Sequence, residues 1–178
     1  MFLENKGPST IEELLKAVNS RALQIIWLCI ISMLLCQLIK FVVISIREKK
    51  ACWSVLHTTG GFPSSHSAMC MTLVTSLFFF QMHDLGGIEW SFAVAVIFSI
   101  VTIHDAMGIR LEASKHARIL NNLAGEMPLE ERKSIGFGKK GFLKELLGHK
   151  FLEVLGGMIF GFLIGLVGYF ILVNVMYQ

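Results

Sequence analysis

Residues 60–67 combine two glycines, a proline, three serines and a histidine at the start of an apolar, helix-forming segment. Proline suits a first helical turn because its φ is fixed and its missing N–H would have no partner there, so we expect Pro63 inside that turn. The backbone N–H groups of Ser64 and Ser65 would then point at an anion, and His66 could exchange a proton. These features predict a phosphate site; the alternative is a serine-capped helix start with an interfacial histidine.

A second histidine, His149, stands four residues before Glu153 at the start of another apolar segment. This spacing places the carboxylate one helical turn from the imidazole, where it can hold the ring's orientation and favour its protonated form. An oriented histidine can act as a nucleophile or as a general base. The alternative is a buried hydrogen-bonded pair that only fixes packing.

Two cations, Lys40 and Arg47, are seven residues apart, which is close to two helical turns, so they share one face if the helix reaches this far. Two cations on one stripe suit a phosphate group, and Lys40 would lie deeper in the membrane than Arg47. The alternative is that both are ordinary basic residues whose charged ends reach water from a helix end.

The elements that must position these residues are membrane helices. Of the 178 residues, 54% are hydrophobic and 16% are charged, and the mean hydropathy is +0.64, which is unlike an ordinary soluble protein. Apolar runs close to the roughly 20 residues that span a bilayer fall at 22–46, 67–82, 90–107 and 151–173. We therefore expect an all-α fold, a single membrane domain built as a polytopic bundle of four transmembrane helices. A soluble four-helix bundle would show polar helix faces, which these runs lack.

Four crossings would place the end of the first span, the start of the second, the end of the third and the start of the fourth on one side of the membrane. Ionisable residues at membrane depth indicate a functional site, and those near these four ends are Lys40, Arg47, His66, His104, Asp105, Arg110, His149 and Glu153. Only three of the 16 basic residues precede the first span. The positive-inside rule therefore predicts a site on the cytoplasmic face of a plasma (inner) membrane, with both termini outside.

The remaining segments extend this bundle. Residues 1–21 predict an interfacial amphipathic helix, and residues 111–147 predict a cytoplasmic connector with a surface helix in its first half and a basic, glycine-containing loop in its second. The four cysteines have no paired metal-ligand spacing and are interpreted as apolar filler. In the last span, Gly157, Gly161 and Gly165 form a smooth stripe for close helix packing, either within the chain or in a homodimer.

The segment Pro63-Ser64-Ser65-His66 resembles the central Pro-Ser-Gly-His motif of the type 2 phosphatidic acid phosphatases and the related vanadium-dependent haloperoxidases. Residues 60–154 are similar to a divergent branch of small membrane proteins related to that superfamily. In its first motif, a lysine and an arginine are separated by six residues and a proline follows. Lys40 and Arg47 fit this motif, with Glu48 in place of the proline.

The third motif of the superfamily is Ser-Arg, five residues, His, three residues, Asp. His149 and Glu153 fit its second half, with glutamate for aspartate, whereas Phe142 and Leu143 occupy the Ser-Arg positions. The missing cation would then come from Lys144 or Arg110.

The segment 105–115 is similar to a hallmark of the divergent branch. Asp105 and Lys115 are therefore candidate auxiliary residues of the site. The alternative is a helix-end ion pair between Asp105 and either Arg110 or Lys115.

The resemblance implies hydrolysis of a lipid-type phosphomonoester or pyrophosphate through a phosphohistidine. His149 would attack phosphorus, Glu153 would hold its ring, and His66 would protonate the leaving alkoxide. This scheme requires the two histidines to face each other within about 10 Å. It needs no metal or other cofactor, and vanadate would bind as a phosphate mimic. The phosphoryl oxygens would be bound by Lys40, Arg47, Ser64 and Ser65, with Arg110 or Lys144 completing the set.

Two functional classes stay open. The first is this phosphohydrolase, and the second is a non-catalytic membrane protein that binds or transports a phosphorylated lipid, which the incomplete third motif favours. The expected partners are membrane lipids and the phosphorylated lipid itself, with no nucleic acid. A magnesium site shared by Asp105 and Glu153 is a weaker hypothesis.

Overall fold

The computed structural model describes residues 20–53, 55, 60–137, 141–145 and 148–176. These residues contain no strand, and each of the four predicted apolar runs lies inside one helix, so the all-α prediction is confirmed. The predicted amphipathic helix at 1–21 lies almost wholly outside the described residues. The helices are α1 (Arg21–Glu48), α2 (Ser65–Asp84), α3 (Trp90–Met107), α4 (Ile109–Leu123), α5 (Leu129–Ser134) and α6 (Phe151–Met176).

Three helical stretches in the described residues are long and apolar enough to cross a membrane: Arg21–Glu48, Trp90–Leu123 and Phe151–Asn174. The outward side chains of α1, α3 and α6 are mostly apolar; Leu34 is 57% exposed and Phe98 is 58% exposed. An apolar outer surface of this kind requires lipid around it. The chain is therefore a membrane protein, and three of the four predicted spans are found by length and composition.

Helix α2 differs from the other long helices because it lies in the middle of the bundle and packs against α1, α3 and α6. Its 20 residues extend about 30 Å, which is a spanning length, but its buried hydroxyl side chains lower its hydropathy. The Thr72 hydroxyl lies 2.9 Å from the Ser32 hydroxyl of α1 and donates to the carbonyl oxygen of Gly161 in α6 at 3.0 Å. These contacts supply partners that lipid could not.

The glycine stripe of α6 faces α2 within the same chain. A Cβ at Gly157 would overlap the carbonyl oxygen of Ser64, and a Cβ at Gly161 would overlap that of Ala68. Both contacts advance in the same direction along the two helices, so α2 and α6 are parallel and begin on the same side of the bundle. Gly165 continues the contact toward the other end. A homodimer through this helix stays a prediction.

The connector after α3 begins at Gly108, where the helix breaks before α4. The surface helix predicted in the first half of the connector is confirmed as α4, and the predicted basic loop includes residues 138–140, which lie outside the described residues. The cysteines are all free, as their spacing predicts. The connector therefore presents one long surface helix next to the end of α3 and the start of α6.

Candidate active site

The start of α2 is fixed by a serine cap. Helix α2 begins at Ser65, and Ser64 is its N-cap. The Ser64 hydroxyl accepts a hydrogen bond from the backbone nitrogen of Ser67 at 3.3 Å and another from the Ser67 hydroxyl at 2.9 Å. Pro63 precedes this cap, so its predicted place inside the first turn is wrong. The extended backbone of Ser64 lets its side chain fold back on the third helical N–H, and this makes Ser64 the cap.

One of the two serine N–H groups predicted to face an anion is already used. The backbone nitrogen of Ser64 donates to the carbonyl oxygen of Glu153 at 2.9 Å, which fastens the start of α2 to α6. The predicted availability of this N–H is therefore wrong, because the glycine stripe brings the two backbones into contact. The backbone N–H groups of Ser65 and His66, the first two residues of the helix, are therefore the candidates for binding an anion.

The two candidate catalytic histidines lie close together. The ring centroids of His66 and His149 are 6.4 Å apart, which is within the limit of about 10 Å that direct participation of both rings requires. His149 is only 2% exposed, and its backbone nitrogen donates to the carbonyl oxygen of Ala106 at 3.0 Å. The residue is thus held between the end of α3 and the start of α6.

Glu153 orients the His149 ring. One carboxylate oxygen of Glu153 lies 3.1 Å from Nδ1 of His149 and accepts a hydrogen bond from the backbone nitrogen of Lys150 at 3.2 Å. The contact with the carboxylate keeps a proton on Nδ1, so Nε2 carries the electron pair of the neutral ring. This Nε2 atom is buried and has no hydrogen-bond partner among the described residues.

The protonation state of His149 follows from its surroundings. Burial lowers the pKa of His149 from its ordinary value of 6.5, because an apolar environment disfavours the charged ring. The hydrogen bond and the negative charge of Glu153 act in the opposite direction but do not reverse the shift. The ring is therefore neutral at pH 7 and has the protonation state of a nucleophile or a general base.

Lys40 is the most deeply buried cation among the candidate site residues. Its side chain is fully buried, and its ammonium nitrogen has no hydrogen-bond partner in the part of the chain that the structure describes. Its carbon atoms run alongside Gly61, whose φ of +97° favours glycine. The charge of Lys40 acts on Glu153 and on His149. A buried ammonium group without a hydrogen-bond partner costs several kcal/mol, and an anion bound next to it would offset this cost.

Arg110 is the second cation beside the histidines. Arg110 Nε donates to Asp105 Oδ2 at 2.6 Å, so the ion-pair alternative for Asp105 is observed. The charge of Arg110 acts on both His66 and His149. Arg110 therefore stands where it can add positive charge to the site, and Asp105 holds its guanidinium group. Asp105 contacts Arg110 and Glu153 contacts His149, and a magnesium site shared by these two carboxylates stays a hypothesis.

Three predicted phosphate ligands or auxiliary residues lie elsewhere. Arg47 is exposed in the last turn of α1, and no contact links it to either histidine. Lys115 pairs with Glu112 at 2.6 Å on α4, where both side chains are more than half exposed. Lys144 is exposed and lines a separate cleft together with Lys115. The structure thus brings Lys40, Arg110 and the start of α2 to the histidines, but not these three residues.

Gln37 is a site residue that was not predicted from the sequence. It lies one helical turn before Lys40, its Oε1 atom is buried without a hydrogen-bond partner in the described residues, and its Nε2 lies 3.5 Å from the hydroxyl of Ser65. The available signal was an amide side chain in an otherwise apolar helix, three positions before a buried lysine. Gln37 therefore adds a polar group next to Ser65, one helical turn from Lys40.

Comparisons with known proteins show which family the chain belongs to. A family model described as "Divergent PAP2 family" matches residues 22–164. The chain is also 37% identical over 142 residues to an uncharacterized membrane protein, YuiD, of Bacillus subtilis (strain 168), and this match covers 74% of the chain and 84% of that protein. No solved structure matches the chain. The matched family region contains both histidines, Lys40 and Glu153.

Proposed function

Because the chain belongs to the divergent PAP2 family, we propose that it is a membrane phosphohydrolase that removes phosphate from a lipid-type phosphomonoester or pyrophosphate. The observation that carries this proposal is a pair of buried nitrogen atoms, Lys40 Nζ and His149 Nε2, which have no hydrogen-bond partner in the described residues. A bound phosphoryl group would satisfy both, because its oxygens accept from the ammonium group and its phosphorus accepts the electron pair of Nε2.

The proposed reaction has two halves. In the first, Nε2 of His149 attacks phosphorus, the bond between phosphorus and the leaving oxygen breaks, and His66 gives its proton to that oxygen. In the second, His66 takes a proton from a water molecule that attacks the phosphohistidine, the phosphorus–nitrogen bond breaks, and inorganic phosphate leaves. Glu153 stabilises the positive charge that forms on the His149 ring in between.

The phosphoryl oxygens would be bound by Lys40, Arg110 and the backbone N–H groups of Ser65 and His66. Arg110 is a better substitute than Lys144 for the arginine missing from the third motif, because its charge acts on both histidines. Charge-assisted hydrogen bonds of this kind stabilise the charge that develops on the transferring phosphoryl group. Vanadate, which imitates that group, is expected to inhibit.

The lipid nature of the substrate rests on where the site lies. Three helical stretches that are long and apolar enough to span a membrane pack against α2. Helices α2 and α6 are parallel, as they must be if the chain crosses the membrane four times. We therefore include α2 as a fourth span, with the site at headgroup level. The distribution of basic residues favours the cytoplasmic face of a plasma (inner) membrane, with both termini outside.

A non-catalytic carrier of phosphorylated lipid is the second candidate function. One observation favours it: Phe142 stands at a position where the superfamily has a polar residue, and its ring contacts the guanidinium group of Arg132 at 4.8 Å. The serine and the arginine that begin the third motif of the superfamily are therefore both missing from this chain. A carrier would keep Lys40 and the helix start but form no phosphohistidine.

The deciding experiment measures inorganic phosphate released from lipid phosphates by the purified protein in detergent. We expect release by the natural sequence, loss of release in both His66→Ala and His149→Ala, and little change in His116→Ala, whose histidine is exposed on α4. Acid-labile, base-stable labelling from a radioactive substrate should appear during turnover by the natural sequence and be absent in His149→Ala. Release that survives His149→Ala would exclude the proposed nucleophile, and binding without release would favour the carrier.

A further inference from the structure

A cleft of about 830 Å³ lies beside the histidine site but does not include it. It is formed between α4 and residues 141–145, which we call the strap. Four basic residues line it, together with apolar side chains of the strap. These residues are Lys115, Arg118, Lys144, Lys150, Phe142 and Leu143. Its volume falls in the usual range for small-molecule sites, which is about 300–1,000 Å³.

The strap is fixed to α4 by a buried asparagine. Asn121 is 6% exposed. Its Oδ1 accepts from the backbone nitrogen of Leu143 at 2.8 Å, and its Nδ2 donates to the carbonyl oxygen of Leu143 at 3.0 Å. The Ser114 hydroxyl also donates to the carbonyl oxygen of Glu145. These hydrogen bonds hold the strap against α4, and basic residues of both elements line the cleft between them.

Most of the positive charge of the cleft lacks a carboxylate partner. Lys115 is paired with Glu112, but both side chains are more than half exposed, and a pair of this kind is weak. Of the residues that the structure describes, Glu145 is the one carboxylate in the lining of the cleft, and it accepts a hydrogen bond from Nδ2 of Asn121 at 2.7 Å. The other three cations, Arg118, Lys144 and Lys150, form no ion pair with any carboxylate in the described ranges. Clustered cations of this kind create a positive potential that attracts an anion.

The cleft and the histidine site lie on opposite sides of one backbone contact. Gly148 packs so tightly on the start of α4 that a Cβ there would overlap the backbone of Leu111. Its neighbour His149 is buried toward α3, whereas Lys150 is exposed and lines the cleft. A ligand in the cleft would therefore not occupy the position proposed for the transferred phosphoryl group.

We propose that this cleft is a second anion site that binds a ligand carrying more than one phosphate group. A single phosphate ester carries a charge of about −1.5 to −2 at pH 7, which is smaller in magnitude than the net charge of +3 that four cations and the Glu145 carboxylate give to the lining of the cleft. A diphosphate or a multiply phosphorylated headgroup matches that charge better. The ligand is either a soluble polyphosphate or a lipid whose headgroup reaches the cleft from the membrane surface. This site does not depend on the catalysis proposed above.

The first test uses inorganic pyrophosphate as the probe. The full chain is reconstituted in phosphatidylcholine nanodiscs and titrated by calorimetry. In the double variant Arg118→Gln/Lys144→Gln we expect the affinity to fall about tenfold or more, because two charge-assisted contacts are lost. The control Lys50→Gln/Lys133→Gln removes the same charge from exposed or ion-paired positions outside the cleft and should bind as the natural sequence does.

The second test separates the cleft from the histidine site and identifies the source of the ligand. Pyrophosphate binding should survive His149→Ala; loss in His149→Ala with no change in Arg118→Gln/Lys144→Gln would overturn the proposal. Nanodiscs that contain phosphatidylinositol bisphosphate should weaken pyrophosphate binding if the natural ligand is a lipid headgroup, and leave it unchanged if the ligand is soluble. Equal affinities in the cleft variant and in its control, or no measurable binding, would also overturn it.

Discussion

One oxygen of the Glu153 carboxylate contacts both the Nδ1 atom of His149, at 3.1 Å, and the backbone nitrogen of Lys150, at 3.2 Å. The second contact is the glutamate half of a capping box, since it satisfies a backbone N–H at the start of α6. Because the same oxygen makes both contacts, the first turn of α6 and the orientation of the buried imidazole are coupled. A structural and a functional reading of the His149–Glu153 pair are therefore compatible.

The first prediction concerns the charge of Glu153. Glu153→Gln keeps the length of the side chain and one acceptor oxygen but removes the charge that raises the pKa of His149. We expect kcat/KM for phosphate release to fall about 10–100-fold and its acidic limb to move to lower pH, since the neutral ring would persist further into acid. Glu130→Gln, on exposed α5, is the control. A loss of activity with an unmoved pH profile would mean that Glu153 acts only on packing.

The second prediction concerns the buried charge of Lys40. Lys40→Met should raise the stability of the ligand-free protein by about 1–4 kcal/mol, because it replaces an unpaired buried charge with an apolar side chain of similar length. The same variant should lose the stabilisation that vanadate gives to the natural sequence. Thermal unfolding in detergent with and without vanadate measures both effects, with exposed Lys50→Met as the control. A less stable variant that still responds to vanadate would contradict an anion site at Lys40.

The placement of the helices was predictable because each apolar run is bounded by polar residues. The bilayer fixes the minimum length of a span, and the third run coincides with α3, Trp90–Met107. The unusual depth of Lys40 and the spacing of His149 and Glu153 also stood out in the sequence, because ionisable residues are rare in apolar helices. These signals are local or depend only on helical periodicity.

Other features depend on contacts between segments that are distant in sequence, so the residues around them do not indicate these features. The Ser64 N–H is occupied because the glycine stripe draws the carbonyl of Glu153 onto it, which no feature of residues 60–67 indicates. Lys144 follows the missing Ser-Arg pair directly in sequence, yet the Asn121 contacts turn the strap toward α4 and place Lys144 in the second cleft.

The third prediction concerns the substitute for the missing arginine. Arg110→Gln should weaken vanadate inhibition and phosphate release about tenfold or more, and Arg110→Lys should restore only part of the loss, because lysine cannot make two parallel hydrogen bonds. The same assays on Arg47→Gln should show little change, since Arg47 is exposed and contacts neither histidine. The reverse pattern would mean that Arg47 binds phosphate as the first motif of the superfamily implies.

The fourth prediction concerns the parallel packing of α2 and α6. Gly161→Ala would drive a methyl group into the carbonyl oxygen of Ala68, so we expect a loss of about 1–3 kcal/mol in stability together with reduced activity. Gly87→Ala is a matched control, because a Cβ at Gly87 meets no atom within 4 Å. Thermal unfolding and phosphate release of the two variants check this. Equal stability of the two would mean that the helices do not approach as closely as the structure indicates.

The fifth prediction concerns pH and the burial of His149. The pKa of His149 in the folded protein is below the ordinary value of 6.5. At pH values between these two pKa values, the unfolded chain therefore binds more protons than the folded protein does. The contribution of neutral His149 to stability should therefore be full above about pH 6.5 and be lost progressively as the pH falls through the folded-state pKa. Unfolding temperatures of the natural sequence and of His149→Gln, measured over this pH range, should converge toward acid. The control His116→Gln, at an exposed position, should follow the natural sequence; a constant difference between His149→Gln and the natural sequence would show that His149 is not buried in its neutral form.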